Sequence, residues 1–329
     1  MADAGGPDLL VLMPVYDDWD ACRIVLADLA GVLHAAGRPA TVLIVDDASH
    51  EPAPADLGAA LGPGIRAIRV LRVARNLGHQ RAICVGLCYA AENLAPGTVV
   101  VMDADGEDAP ADVPRLLQRA AEQPRDAIVF AERTKRSESA WFRVGYQAFR
   151  VLHLALTGQG IRQGNFSVVP GSLLRPLCHV AELWSHYAAA ICVSRLPYGH
   201  VPTQRARRAY GTSSMSFVSL VRHGLSAITV FSETMGIRLV VAGVCGLGAA
   251  LAAAIVVLVA AVALGSAVSV PMLVAAGGLG LASAAVAAMG AMIALLVLTD
   301  RKAAVFVPIR ECASFVASVE PVRVGTAAS

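Results

Sequence analysis

Short unbroken apolar runs that end in carboxylates alternate with stretches of helical spacing from Leu9 to Arg133. Leu9 to Pro14 is the first run, closed by proline, and Trp19 to Ala36 follows with helical periodicity behind two possible caps, Asp17 and Asp18. Ala40 to Val45 repeats the pattern and ends in Asp46-Asp47-Ala48-Ser49. Ile65 to Val73 predicts a third strand, ahead of Arg75-Asn-Leu-Gly78-His-Gln-Arg81 and an amphipathic helix to about Asn93. Val99 to Met102 runs straight into Asp103-Ala-Asp105-Gly-Glu107-Asp108, and Asp126 to Phe130 makes a fifth strand that leads to Ala131-Glu132-Arg133. Continuous apolar strands are those covered on both faces, so this alternation predicts an α/β fold with a mostly parallel sheet and right-handed crossovers.

In open sheets of this kind ligands sit at the carboxyl ends of the strands, which is where the carboxylates fall. Asp103 and Asp105, separated by one small residue, can both turn toward a hard divalent cation that keeps positions open for phosphate oxygens. The competing reading is an acidic loop that caps the next helix. Neither a G-x-G-x-x-G after the first strand nor a G-x-x-x-x-G-K-[ST] occurs, which disfavours a dinucleotide dehydrogenase or a P-loop NTPase. A nucleotide would then be held by carboxylates to its base and ribose and by metal to its diphosphate.

With 329 residues, only 16% of them charged, and a mean hydropathy of +0.60, the chain is too apolar for a wholly soluble protein. The excess lies between Leu239 and Thr299, which hold no charged residue, and Gly265 to Pro271 divides that run. Two helices, about 239–264 and 272–298, are each long enough for a hydrocarbon core of about 30 Å. Gly243, Gly246, Gly277, Gly278 and Gly280 would let them approach closely as a transmembrane hairpin. The acidic start lacks the basic region of a signal peptide, and basic residues flank the hairpin on both sides (Arg222, Arg238; Arg301, Lys302, Arg310). Residues 1 to about 236 and both termini are therefore expected in the cytoplasm. Trp141 to Leu156 reads either as an interfacial helix or as a core helix, and Ser216 to Phe231 as an interfacial one. A net charge of +2 without a basic, aromatic-laced tract gives no sign of nucleic acid. The seven cysteines are scattered and lack a C-x-x-C pair, so they read as reduced, mostly buried thiols, and no zinc site is expected.

With these motifs in place, the chain resembles the family 2 glycosyltransferases of GT-A fold, specifically the polyprenyl-phosphate, dolichol-phosphate mannose synthase-like transferases. Pro14-Val-Tyr16-Asp17-Asp18 matches the family's P-V-Y-N/D-E segment, Val45-Asp46-Asp47-Ala48-Ser49 its V-D-D-x-S, Arg75 to Ala82 its R-N-x-G-x-x-x-A, and Asp103 to Pro110 its D-A-D-x-Q-D-x-P. Further on, Arg133, Gly164-Asn165-Phe166-Ser167 and Arg208-Ala-Tyr-Gly211-Thr-Ser213 look like later family segments. Glu107 stands where the family commonly has Gln, Asn165 where several members have Asp, and Ser214 where a Lys usually follows.

The resemblance implies a Rossmann-like catalytic domain over 1–213, an interfacial helix over 214–236, the hairpin over 237–299 and a cytoplasmic tail over 300–329. It implies inverting transfer of a sugar from a UDP- or GDP-sugar to polyprenyl phosphate, with the lipid bilayer and a second copy of the chain as further partners. Asp103 and Asp105 would hold Mg²⁺ or Mn²⁺ and, with Asn165 and Arg133, form the reacting centre. Pro14, Tyr16, Asp18, Asp46, Asp47, Arg75, Gly78, Asp103 and Glu107 would take the donor, and Arg205, Arg207, Arg208 and Ser213 the acceptor phosphate. Rival readings are another lipid or glycan acceptor, a processive synthase, and an inactive nucleotide-sugar-binding scaffold. Gln147-Ala-Phe-Arg150-Val151 lacks the tryptophan of a processive Q-x-x-R-W, and the Asp103/Asp105 pair is intact.

Overall fold

The computed structural model describes residues 6–59, 61–133, 147, 151–158, 163–203, 226, 228–265, 269–300 and 306–325. The chain divides into two compact units, Met1–Glu138 with Ile161–Val230 and Phe306–Ser329, and Ser139–Gly160 with Phe231–Val305. The first unit is therefore assembled from three stretches of chain, where the sequence suggested one continuous domain over 1–213.

In the first unit the strands are β1 (Leu9–Val15), β2 (Ala40–Asp46), β3 (Ile65–Val73), β4 (Thr98–Val101), β5 (Ile128–Arg133), β6 (Gln163–Pro170), β7 (Tyr198–Thr203) and β8 (Val316–Val322). The helices are α1 (Trp19–Ala35), α2 (His79–Tyr89), α3 (Val113–Ala121), α4 (Gly171–Cys178) and α5 (Tyr187–Val193). Among the described residues the strands form one sheet in the order β7-β5-β6-β4-β1-β2-β3-β8. The first four strands pair in parallel as their apolar runs predict, whereas β6 is antiparallel to both β4 and β5. Every residue of β1 is buried. Val11 and Met13 pack under α1 and α3, and Leu10 and Leu12 under α2, α4 and α5. Removing a leucine of this kind from water contributes about 1.5–3 kcal/mol.

Pro14 does not close β1, which runs on to Val15. Leu12 accepts from Met102 N on the β4 side and Val15 accepts from Asp47 N on the β2 side. Alternation therefore points the missing N–H of Pro14 toward β4, beyond the last β1–β4 pair, Leu12 with Val101, where no ladder bond is lost.

The stretch expected to be a tail also differs. Residues 306–325 belong to the sheet unit, where β8 runs antiparallel along β3 with Val319 opposite Leu71. The outer edge of β3 would otherwise present unpaired backbone groups, and β8 covers it.

In the second unit, α6 (Ser232–Ala263) and α7 (Val270–Asp300) are each long and apolar enough to cross a membrane. The first begins several residues before the expected start, because Glu233 and Arg238 lie in its opening turns. Pro271 sits in the first turn of α7, where its lack of an N–H costs nothing. A Cβ added at Gly243 would lie 2.6 Å from the Ala287 Cβ, and one at Gly290 2.6 Å from Val240 N. Gly243 and Gly246 thus line the seam as expected, together with Gly236 and Gly290, while Gly277 and Gly278 face open space. Residues 151–157 are helical, with Val151, Leu152 and Leu154 exposed. Their helix is fastened to α6 by Arg238, whose Nη1 donates to Ala155 O at 3.0 Å. Most of the predicted helix at 216–231 lies outside the described residues.

Candidate functional site

Parallel register sets the carboxyl ends of β1, β2 and β4 side by side, with Val15 opposite Asp46 and Leu12 opposite Val101. Because β6 returns antiparallel with Ser167 opposite Val101, two further residues along each chain lead to Asp103 and Asn165. Three loops meet there: 16–18 after β1, 46–50 after β2 and 103–108 after β4.

Asp47 is buried and holds the start of α2. Its Oδ1 accepts from Leu77 N at 2.7 Å, its Oδ2 from Gly78 N at 2.8 Å, and its carbonyl from Asn76 Nδ2 at 3.2 Å. Burial raises the pKa of its carboxyl, and the two amides offset that only in part. Gly78 caps α2 at φ +88°, a conformation that side chains rarely adopt. Asp46 is equally buried: its Oδ1 accepts from Ser49 N at 2.8 Å, and Arg72 Nε stands 3.7 Å from Oδ2. Both aspartates thus organise loop backbone, a part that the motif reading did not include.

Asp17, at φ +52°, ties the first loop to the second. Its N–H donates to Ser49 Oγ at 2.9 Å, its Oδ1 accepts from His50 N at 2.7 Å, and its Oδ2 lies 2.6 Å from His50 Nδ1. Burial would raise the Asp17 pKa, but the bonds from His50 outweigh it and the net shift is downward; the same partner raises that of His50. Asp18 occupies the N-cap of α1 without a side-chain capping bond, so the expected cap is absent. Tyr16 is 44% exposed, its ring 6.0 Å from that of His50.

In the third loop Asp103 N donates to the buried Asp108 Oδ2 at 2.9 Å, and Glu107 N donates to Asp105 Oδ1 at 2.9 Å around Gly106, at φ +83°. The acids fold their own loop. Helix α3 starts only at Val113, with no side-chain cap bond, so the helix-cap reading of this cluster fails.

His79 and Gln80 were not singled out by the sequence reading. Tyr187 N donates to Gln80 Oε1 at 2.8 Å, which turns Gln80 Nε2 toward Asn165 Oδ1 at 3.1 Å and Asn165 Nδ2 toward His79 Nε2 at 2.8 Å. Nε2 is then an acceptor, 3.2 Å from Asp103 Oδ1. Nε2 can accept from Asn165 or, once protonated, donate to Asp103, but not both at once. Burial lowers the pKa of His79, and Asp103, Asp108 and Asp105 more than reverse this, leaving it raised. The chemistry of the donors fits Mg²⁺ or Mn²⁺, since Asp103 and Asp105 offer hard carboxylate oxygens. The signal for His79 lay in the sequence, since it opens the helix that follows Gly78 and helix N-termini face the strand ends.

Pro14 is buried in β1 and Arg75 is exposed beside Asn76. Arg133 ends β5 in register with Thr203; its side chain, like all of Arg205, Arg207, Arg208 and Ser213, lies outside the described residues.

Residues 10–173 match the family model for Glycosyl transferase family 2. The chain is 23% identical over 230 residues to undecaprenyl-phosphate 4-deoxy-4-formamido-L-arabinose transferase of Salmonella paratyphi A, covering 68% of this chain and 67% of that protein. It is 25% identical over 232 residues to the protein of the same name from an Enterobacter species, with the same coverage of 68% and 67%. Among solved structures, glucosyl-3-phosphoglycerate synthase from Mycobacterium tuberculosis, in complex with Mn²⁺, UDP-glucose and phosphoglyceric acid, aligns with a TM-score of 0.50 at 18% identity, over 71% of this chain and 81% of that one.

Proposed function

Because this chain is a glycosyltransferase of GT-A fold that carries a family 2 domain, we propose that it transfers a sugar, with inversion, from a UDP- or GDP-sugar to polyprenyl phosphate at the cytoplasmic membrane face. The observation that carries this reading is the meeting of Asp103, His79 and Asn165 where β4, α2 and β6 converge. That site belongs to a chain with two helices able to cross a membrane. Relatives that are undecaprenyl-phosphate sugar transferases support a lipid acceptor.

Asp103 and Asp105 would hold Mg²⁺ or Mn²⁺, which when bound neutralises charge on the departing diphosphate. Asp46 and Asp47 keep the loops in place and, with Pro14, Tyr16, Asp18, Arg75, Gly78 and Glu107, would take the nucleotide. Asn165, held by Gln80 and His79, and Arg133 would border the sugar. Arg205, Arg207, Arg208 and Ser213 would receive the acceptor phosphate, arginine by its planar fork of donors. A phosphate monoester with a second pKa of about 6 is already largely ionised at neutral pH and attacks with little help from a base.

Membranes containing the protein, incubated with labelled UDP- and GDP-sugars and extracted with organic solvent, test the reading. Label should enter the organic phase only when polyprenyl phosphate is present, and Arg208→Ala should raise the apparent KM for the lipid far more than for the donor. Label that remains water-soluble with every donor would refute the lipid acceptor.

A further inference from the structure

Four cysteines that are scattered in the sequence converge in the core on the α2 side of the sheet. Cys84 and Cys88 lie one turn apart on α2, Cys178 ends α4, and Cys312 follows a helical turn, Pro308–Glu311, in the segment that feeds β8. None is more than 2% exposed. The Cys84 and Cys312 sulfurs are 3.7 Å apart, and the sulfurs of Cys84, Cys88 and Cys312 all lie within 4.8 Å of one another. Cys178 is a neighbour of Cys88 in the same buried cluster, outside the trio of mutually close sulfurs.

We infer that Cys84, Cys88, Cys178 and Cys312 form a closed, four-sulfur structural site for a thiophilic divalent cation, Zn²⁺ by its chemistry. A tetrahedral zinc site with Zn–S bonds of about 2.3 Å has sulfurs about 3.8 Å apart, which the Cys84–Cys312 spacing already matches. A disulfide needs about 2.05 Å and would use only two of the four thiols. The C-x-x-x-C spacing on α2 falls within the range of zinc ligand pairs. Soft thiolates prefer zinc to magnesium or manganese, so this site and the strand-end carboxylates select different metals.

Burial pushes the Cys84 thiol well above its ordinary pKa, so metal binding has to drive ionisation, with the displaced protons passing to solvent. Arg81, one turn before Cys84, brings a cation to the same helix. Its guanidinium lies 5.2 Å from the ring centroid of Trp184, whose ring packs at a tilt against Phe306 and Phe315 of the Cys312 segment at 4.6 and 4.9 Å. With every coordination position taken by sulfur, the metal would do no chemistry. It would fasten the β8 segment to α2, the helix whose first turn holds Asp47 and His79.

Full-length protein, purified in detergent with a non-chelating reductant, should contain one zinc per chain by elemental mass spectrometry. Exchange with Co²⁺ should produce sulfur-to-cobalt charge-transfer absorption and intense tetrahedral d–d bands. Both should persist in Asp103→Asn and in Cys192→Ser and Cys245→Ser, and be lost in Cys88→Ser and Cys312→Ser. The measurement on the unaltered chain stands whether or not those variants fold. Absence of stoichiometric metal together with absence of thiolate bands after Co²⁺ addition would overturn the site. So would a Cys84–Cys312 disulfide in the intact chain, or full zinc retention in Cys312→Ser.

Discussion

His79 Nε2 stands 3.2 Å from Asp103 Oδ1, although one residue opens a helix and the other lies in the loop that follows a strand. The pair is held by amide groups whose orientation traces back to the backbone N–H of Tyr187. Replacing His79 with Ala should therefore weaken metal binding without unfolding the sheet. A 10–100-fold rise in the Mn²⁺ concentration for half-maximal turnover is expected, roughly the effect of losing a group that orients a metal ligand. An unchanged metal dependence would restrict His79 to holding its loop.

Asp105→Ala should abolish transfer and Asp103→Ala should impair it severely, with thermal unfolding and membrane insertion unaltered. EDTA should reproduce the effect on the unaltered chain and Mn²⁺ should reverse it. Near-normal turnover by Asp105→Asn at saturating donor, without added metal, would remove the metal from the mechanism.

Asp47→Ala leaves the Leu77 and Gly78 amides without their acceptor. Unpaired buried donors cost about 1–3 kcal/mol each. The raised pKa of Asp47 shows that burial already opposes its charge, so a net loss near the lower end, about 2 kcal/mol, is expected. For a domain of this size that is a fall in Tm of roughly 4–8 °C. Calorimetry of the detergent-solubilised protein would measure it.

Ending the chain at Val305 removes β8 and bares the edge of β3. It also removes Phe306 and Phe315, which pack against Trp184. The truncated protein should insert into membranes yet aggregate on extraction and melt several degrees lower, as seen by light scattering and circular dichroism. Equal solubility and Tm would mean that β8 contributes no stability.

The Asp17–His50 pair gives a pH signature with two limbs. The lowered carboxyl contributes stability above its ordinary pKa of 3.8 and loses it as pH falls through the depressed value; the raised imidazole contributes below 6.5 and loses it as pH rises through the elevated one. The loop contact should thus be tightest between these limits. NMR titration should place His50 above its ordinary value, and Asp17→Asn should return it there.

Elements built by local patterning were legible in the chain alone. The apolar runs of β1 to β4, the helical periods of α1 and α2 and the uncharged stretch of α6 and α7 each declare themselves within a dozen or so residues, because burial on both faces, on one face or in lipid leaves distinct periods. The strand-end aspartates followed from the same runs.

What the tertiary structure decided is which elements meet. β6 carries Gly164 and Asn165 among its apolar residues, and β8 is a half-exposed edge strand. Neither has a period that marks it, since each becomes a strand only by pairing with a neighbour already in place. Asp46 and Asp47 could be assigned to a site from sequence, but not their bonds to the loops at Ser49, Leu77 and Gly78. The same holds for Gly236 and Gly290 at the hairpin seam and for four cysteines meeting from three segments. Local sequence sets the period of an element; the partners of its side chains depend on packing over the whole chain, which no local window contains.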